Sequence, residues 1–381
     1  MSLVLVLNCG SSSIKAAVFG DEDRAVARAL VERIGAGPRV RIDAHGGREE
    51  WAPEADGHAA LLAWLLPHLS GLVGDEIGAV GHRVVHGGLG FADPVRVDDA
   101  IVASLERLIP MARSHQPHNL AGIKAVAGLW PRLPQVACFD TAFHRTIPEV
   151  RQRFGLPAEL TAKGIRRYGF HGISYEWIAG RLPEVTDRAE GRVVVAHLGN
   201  GASLCAMRGR RSEATTMGFT PLDGLIMGNR PGNLDPGAVL YLFEELGMTA
   251  DEVRRLLFDQ SGLLGVSHLS NDMRSLLASD EPDARLAIEL FVDRAAREIA
   301  SMAAAVGGFD ALVFTGGIGE NAAPVRARIA EGCAWLGARV DAAANARHGP
   351  VISAADSAVE LLVIPTDEEA MIARHCRALA G

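Results

Sequence analysis

The chain lacks any excess of positive charge: 38 Lys and Arg stand against 46 Asp and Glu, a net charge of −8. A nucleic-acid partner requires a basic face, so that class is set aside. Cysteine is scarce as well. Its five copies (Cys9, Cys138, Cys205, Cys333 and Cys376) are scattered and never fall in CxxC spacing. That usage argues against a disulfide frame or a zinc site and for reduced thiols in a cytoplasm. No apolar run is long enough to span a bilayer; residues 59–66 come nearest and stop at Pro67. The opening residues show no charged segment leading to a cleavage site, because the apolar run 3–7 passes straight into polar Gly and Ser. Two nucleotide signatures are missing too. GxxxxGK(S/T) is absent, which excludes a Walker-type NTPase. No GxGxxG follows the first apolar run, which argues against a dinucleotide fold.

Glycine, by contrast, is plentiful, at 42 of 381 residues. A hydrophobic content of 48% and a charged content of 22% are those of an ordinary globular protein, and the length fits two domains. The most informative glycine cluster lies in residues 312–321, LVFTGGIGEN, where an apolar run ends in Thr315 and then Gly316, Gly317 and Gly319. Glycines at a strand end leave backbone N–H groups bare and let a flat or phosphorylated group come close. Helix-forming sequence follows over Pro324–Ala330. Alone, this loop is either a nucleotide site or fold punctuation. Two further loops share its character. Asn8, Gly10, Ser11, Ser12, Ser13 and Lys15 form one polar hairpin tip, offering hydroxyls, N–H groups and a cation that can hold a phosphate chain and a metal-bound water. His197, Leu198, Gly199, Asn200, Gly201 and Ser203 form the other. Three such loops together favour a nucleotide.

The two tips also reveal the organisation. Residues 3–19 and 193–207 share one plan, an apolar run, a polar turn and a second apolar run, which reads as a duplication about 190 residues apart. Apolar spacing of three and four predicts helices over 98–108, 119–129, 235–245, 251–258 and 283–306, with Asp98 and Asp235 as N-caps or first-turn acids. Strands are expected over 79–85, 135–139, 312–314 and 359–364. Pro148 and Pro157 bracket a boundary near residue 150. The expected domains are 1–150 and 151–365, with a last helix over 366–381 that packs back on the first domain.

Cations and a carboxylate sit in the remaining glycine-rich segments. Arg83 lies in GHRVVHGG, Arg230 in MGNRPGNLDP, His171 in YGFHG and Asp140 in CFDTAFH. A charged residue in a loop at a strand end is poorly placed for core packing and well placed for a ligand. Each alone reads as a surface ion pair; together they suggest an anion site. His82/His86 and His115/His118 have spacings a metal could use, but no third ligand clusters with them.

These segments, in order and over nearly the whole chain, resemble the acetate/propionate kinase family: VLVLNCGSSSIK, GHRVVHGG, FDTAFH, RRYGFHG, AHLGNGAS, PLDGLIMGNRPGNLDP, NDMR, FTGGIGEN and IPTDEE. The resemblance implies an α/β fold of the duplicated actin/hexokinase/Hsp70-like (ribonuclease H-like) kind, with a nucleotide cleft between two domains. It implies reversible transfer of the ATP γ-phosphoryl to acetate or propionate, with ATP/ADP and Mg2+ (or Mn2+ in its place) and a homodimer. It assigns Asn8 and Glu368 to the metal, and Ser11, Ser13 and Lys15, His197–Gly201, Asp272, Met273 and Arg274, and Gly317, Ile318, Gly319, Glu320 and Asn321 to the nucleotide. Arg83 would bind the acyl carboxylate, with Val85, Phe170 and Pro221 as an apolar wall. His171 and Arg230 would stabilise the transition state beside Asp140. The chain departs from the pattern at Ser114, where leucine is usual, at Ile173–Ser174–Tyr175, where the family reads TSH, and at Asn229, Pro231, Asn233 and Leu234 in the Arg230 loop. Those changes bear on the acyl pocket. Two other readings stay open: a sugar or polyol kinase with Asp140 as base, and a non-catalytic Hsp70/actin-type module, which the lack of a further domain after residue 381 disfavours.

Overall fold

The structure, a computed structural model, describes residues 3–74 and 76–380. Two compact units emerge: Met1–Phe143 with Gly172–Ser174 and Asp367–Gly381, and His144–His171 with Tyr175–Thr366.

The first unit is built on a sheet of β1 (Leu3–Cys9), β2 (Ser13–Phe19), β3 (Ala25–Glu32), β4 (Arg39–Ala44), β5 (Gly47–Trp51), β6 (Ile77–Val84), β7 (Val95–Arg96) and β8 (Gln135–Phe139), in the order β5-β4-β3-β2-β1-β6-β8-β7. The second unit holds β9 (Arg192–Leu198), β10 (Ala202–Arg208), β11 (Arg211–Thr215), β12 (Ala311–Thr315) and β13 (Glu360–Val363), in the order β11-β10-β9-β12-β13. The two sheets share one strand plan. Each begins with an antiparallel meander, β1-β2-β3 or β9-β10-β11. Its first strand then pairs in parallel with β6 or β12, which pairs in parallel with β8 or β13. The duplicated α/β fold expected from the resemblance is therefore present.

Continuous apolar sequence makes the central strands: every residue of β8 and β12 is buried, as a strand covered on both faces requires. β3 is different. Ala27, Ala29 and Val31 are buried while Arg28, Val26 and Glu32 face solvent, a period of two that marks a half-covered strand. The sequence reading passed over β3, β4 and β5, because their apolar positions are small or few. It also passed over the helix His58–Val73, which continues through Pro67 despite the lost N–H; Leu61, Leu62, Leu65, Leu66 and Leu69 anchor it in the core. Asp98 and Asp235 do cap helices, accepting from Ile101 N and Gly237 N.

The C-terminal helix Glu368–Ala380 packs on β6, where a Cβ at Gly81 would come within 2.5 Å of Ile372. Arg374 of this helix donates to Asp23, and Arg28 on β3 pairs with Glu369. Among the described residues, no helix is long and apolar enough to cross a membrane.

Candidate active site

In the first unit the site is built from charged side chains at strand ends. β1 and β2 keep strict register up to Asn8↔Lys15 and Cys9↔Ile14, and the turn closes with Gly10 N donating to Ser13 O at 2.8 Å. Ser11 and Lys15 are exposed, and Asn8 and Ser13 half-buried. One sheet position over, Arg83 near the end of β6 reaches Asp140, just past the end of β8. Nε donates to Oδ1 at 3.0 Å and Nη2 to Oδ2 at 2.6 Å. Glu368, in the first turn of the C-terminal helix, brings an oxygen within 3.7 Å of the same Nε. Two carboxylates thus share one guanidinium. Burial opposes Arg83's charge, but Asp140 and Glu368 outweigh it and hold the guanidinium protonated. For Asp140 burial wins: its carboxyl is pushed up from 3.8 to about 6, with Arg83 pulling against the shift and Glu368 adding to it. The Asp140 contact occupies the Nε–Nη2 side of the guanidinium, so the Nη1–Nη2 edge is not the one it uses.

A buried residue missed in the sequence holds these strand ends together. Asn119 accepts from Val85 N at 3.0 Å and donates to Cys9 O at 2.8 Å, tying the β1 tip to the segment after Arg83. It looked like one more polar residue on an amphipathic helix, and only its burial, at 3% exposure, sets it apart. Val85 is buried, and Ser114 sits half-buried in the turn before the helix Gln116–Leu129. The paired histidines turn to other tasks. His82 Nε2 bonds Gln135 Oε1 at 2.7 Å and His86 Nδ1 accepts from Gly88 N at 2.9 Å. Burial pulls both down to about 4. His118 stacks on His58. Among the described residues no group of three His, Cys, Asp or Glu is placed to hold a metal.

In the second unit the site is built from glycine, main chain and imidazole. His171 takes the left-handed conformation (φ 59°) as N-cap of the helix Gly172–Val185, a strained backbone of the kind found at functional sites. Its ring stacks on His197 at 4.3 Å, and its Nδ1 lies 2.9 Å from Ser203 Oγ. Arg230 Nη1 donates to Pro221 O at 2.7 Å. A Cβ built on Gly201 would lie 2.9 Å from Arg230 Nη2 and 3.1 Å from His171 Nε2. The guanidinium and the imidazole therefore both come close to the bare Cα of Gly201, where a Cβ would crowd them. The Arg230 loop is stitched to this tip: Gly228 N donates to Asn200 O at 2.9 Å, and Asn271 Nδ2 donates to Asn229 Oδ1 at 2.8 Å. Phe170 is fixed through its carbonyl, which accepts from His144 Nε2 at 2.9 Å; Ser212 holds the other ring nitrogen. Burial lowers His144 to about 4.

The glycine segment expected as a loop is itself helical, Gly316–Asn321. Gly316 turns the chain at φ 76°, and a Cβ there would strike Leu198 O at 2.8 Å, so the turn can begin directly at the end of β12. A cavity of about 710 Å³ opens beside it. Of the predicted nucleotide residues, Gly199, Asn200, Asp272, Met273, Arg274, Gly317, Ile318 and Asn321 line it; Asn271, Leu277, Ala322 and Pro324 join them. Ser11, Ser13, Lys15, His197, Leu198, Gly201, Gly319 and Glu320 are not among the lining residues. Leu198 and Gly319 are buried. Glu320 accepts from Gly316 N at 2.9 Å and Thr366 N at 3.1 Å, bracing the turn. Asp272 caps the helix Met273–Leu277, and Arg274 holds its carboxyl below the usual range. Arg326 was also missed. Fully buried, it donates to Gly319 O and Glu320 O at 2.8 Å and to both oxygens of Asn345. In sequence it reads as an ordinary helix-surface cation.

Known proteins carry the same arrangement of segments. A model of the acetokinase family matches residues 3–374. An acetate kinase of Rhodopseudomonas palustris is 54% identical over 99% of this chain and 98% of its own. One from Nitrobacter hamburgensis is 48% identical over 100% and 96%. Among solved structures, a propionate kinase from Francisella tularensis superposes with TM-score 0.95 at 38% identity, and an acetate kinase from Porphyromonas gingivalis with 0.92 at 36%, each covering 100% of both chains.

Proposed function

The chain belongs to the acetokinase family, and from that premise we propose that it transfers the γ-phosphoryl of ATP reversibly to acetate or propionate, giving the acyl phosphate and ADP. The observation that carries this reading is the convergence of Arg230 and His171 over Gly201, two donors aimed at one point. A carboxylate acceptor is already an anion at neutral pH, so the reaction needs no base to deprotonate it. The obstacle is charge: an anion must meet a polyphosphate, and catalysis lies in positioning and neutralisation.

Each unit supports one part of the task. Residues 1–150 with the C-terminal helix would hold the acid and the metal, and residues 151–365 the nucleotide. Arg83, turned by Asp140, offers the Nη1–Nη2 edge of its fork to the acyl carboxylate. Val85, Ser114, Phe170 and Pro221 would form the wall for the acyl chain. The cavity beside Gly317 accepts the nucleotide, with bare N–H groups at the start of the glycine helix turned to phosphate. Arg230 neutralises the transferring phosphoryl, and His171 offers it a hydrogen bond. Ser11, Ser13 and Lys15 would meet the phosphate chain. Asn8 and Glu368 are oxygen donors suited to Mg2+, which takes few protein ligands and completes its shell with phosphate and water. When bound, Mg2+ neutralises phosphate charge. Asp140, engaged by Arg83, supports an orienting role over that of a base for a sugar hydroxyl.

Buried thiols, four of them pushed up to about 12, support a reducing cytoplasmic setting. A homodimer is supported by Leu240, Tyr241 and Leu246, which are 55%, 55% and 59% exposed on or beside the helix Pro236–Glu244. The deciding assay traps the product with hydroxylamine across acetate, propionate and butyrate. Hydroxamate formation supports the reading; phosphorylation of sugars without any hydroxamate would overturn it.

A further inference from the structure

Behind His171 lies a buried chain of hydroxyls with no part in the reading above. Ser203, on β10 and fully buried, has its Oγ 2.9 Å from His171 Nδ1 and 2.5 Å from Tyr175 Oη. Tyr175 is fully buried too, one turn along the helix that His171 caps. It stands where the related motif FHGTSH carries histidine.

A serine hydroxyl has one proton, so with two partners it must give in one direction and receive from the other. The chain runs either Tyr175→Ser203→His171 or the reverse. In the reverse direction the phenol proton needs a second acceptor. Among the described residues Ser203 is the one hydrogen-bond partner Tyr175 Oη has. A buried O–H left without an acceptor carries the full cost of its desolvation. The phenol is also the more acidic hydroxyl and hence the better donor. Burial raises its pKa well above 10, which keeps that proton in place. The forward direction uses every proton.

We infer that Tyr175 and Ser203 are positioning residues that fix His171 as the tautomer with Nδ1 accepting and the proton on Nε2, the nitrogen that faces the space over Gly201 beside Arg230. His171 then offers a hydrogen bond to the phosphoryl oxygens as a neutral imidazole, ready before the substrate arrives. This rests on His171 acting at the phosphoryl, as proposed above.

The test reads the tautomer directly. Two-bond ¹H–¹⁵N spectra of ¹⁵N-histidine protein, with His171 assigned by His171→Gln, should show wild-type His171 carrying its proton on Nε2. A proton on Nδ1 alone would overturn the inference, and that measurement needs no variant at the relay. Tyr175→Phe leaves His171 Nδ1 as the acceptor for the Ser203 proton, so the tautomer should persist, whereas Ser203→Ala removes the donor to Nδ1 and should give mixed tautomers. Ser203→Ala should lower kcat by about 10–100-fold, less than the ~10²–10³ expected for losing the donor itself, with both KM values within about threefold. Ser203→Thr should restore activity. Unchanged tautomer and kcat in Ser203→Ala would sink the relay while His171→Gln remained inactive. Full activity in His171→Gln would instead sink the role of His171 itself.

Discussion

Two arginines, one in each unit, Arg83 half-buried and Arg326 fully buried, are held in opposite ways. Arg83 is gripped by the carboxylates Asp140 and Glu368, while Arg326 donates to the carbonyls of Gly319, Glu320 and Asn345 and to His348 Nδ1, with no carboxylate among these partners. The first arrangement leaves a charge that can be shared with another anion and that responds to pH. The second clamps main chain: it gathers the free carbonyls at the end of the glycine helix and so sets the shape of the turn, although burial works against its charge. The contrast extends to the units as wholes. One works through a guanidinium gripped by carboxylates, the other through backbone, imidazole and the guanidinium of Arg230. Changes in the first should speak through the acid and through pH; changes in the second through rate and nucleotide.

The largest effect is expected in the second unit. Arg230→Lys keeps the charge but loses the planar fork. An arginine that meets charge building on the phosphoryl is worth roughly 10³–10⁵ in rate, and most of that should be lost from kcat. Near-normal kcat with a raised KM alone would break the comparison. Next comes Arg83→Ala. A charge-assisted contact contributes about 1.5–3 kcal/mol, so the KM for acetate should rise roughly 10–100-fold while that for ATP barely moves. Loss of ATP saturation with intact acetate saturation would reverse the assignment of the two units.

Arg326→Leu should raise the KM for ATP about tenfold and lower the Tm, because each carbonyl left unmade costs about 1–3 kcal/mol. The acetate KM should hold; if it moved equally, the clamp would not be local to the turn. Asp140 gives a pH signature. Its carboxyl is raised from 3.8 to about 6, so folding takes up a proton between those values. That contribution to stability is full below 3.8 and is lost as pH rises through about 6. For activity the sign is opposite: as pH falls through about 6, Asp140 gains a proton and loosens Arg83, and the acetate KM should rise. Asp140→Asn should abolish this limb at a KM that is high throughout; a limb that persists unchanged assigns it to another group. The smallest effect concerns Ser114. If it lines the acyl wall, propionate should be used within about tenfold of acetate in kcat/KM, a difference of about 1.4 kcal/mol, and Ser114→Leu should shift preference back toward acetate. A preference above a hundredfold that Ser114→Leu leaves untouched would remove Ser114 from the pocket.

The amino-acid sequence alone determined a good deal here. Repeated apolar runs around polar tips at 3–19 and 193–207 identified the duplication, because buried central strands must be apolar throughout and a tight tip must be polar. Glycine clusters located two of the segments that line the cavity of the second unit, because bare backbone is written in composition. Arg83, His171 and Arg230 stood out as basic residues in glycine-rich segments, and Asp140 as a carboxylate at a strand end. Tertiary structure decided what such patterns do not encode. Asn119, Arg326, Ser203 and Tyr175 look in sequence like any polar residue of a helix or strand. What distinguishes them is burial together with the partner that satisfies each buried atom, and both depend on residues that are far away along the chain. The same holds for Arg83 and Asp140, 57 positions apart. The sequence offers an arginine and an aspartate, but only the parallel pairing of β6 with β8 makes them one ion pair around a buried carboxylate.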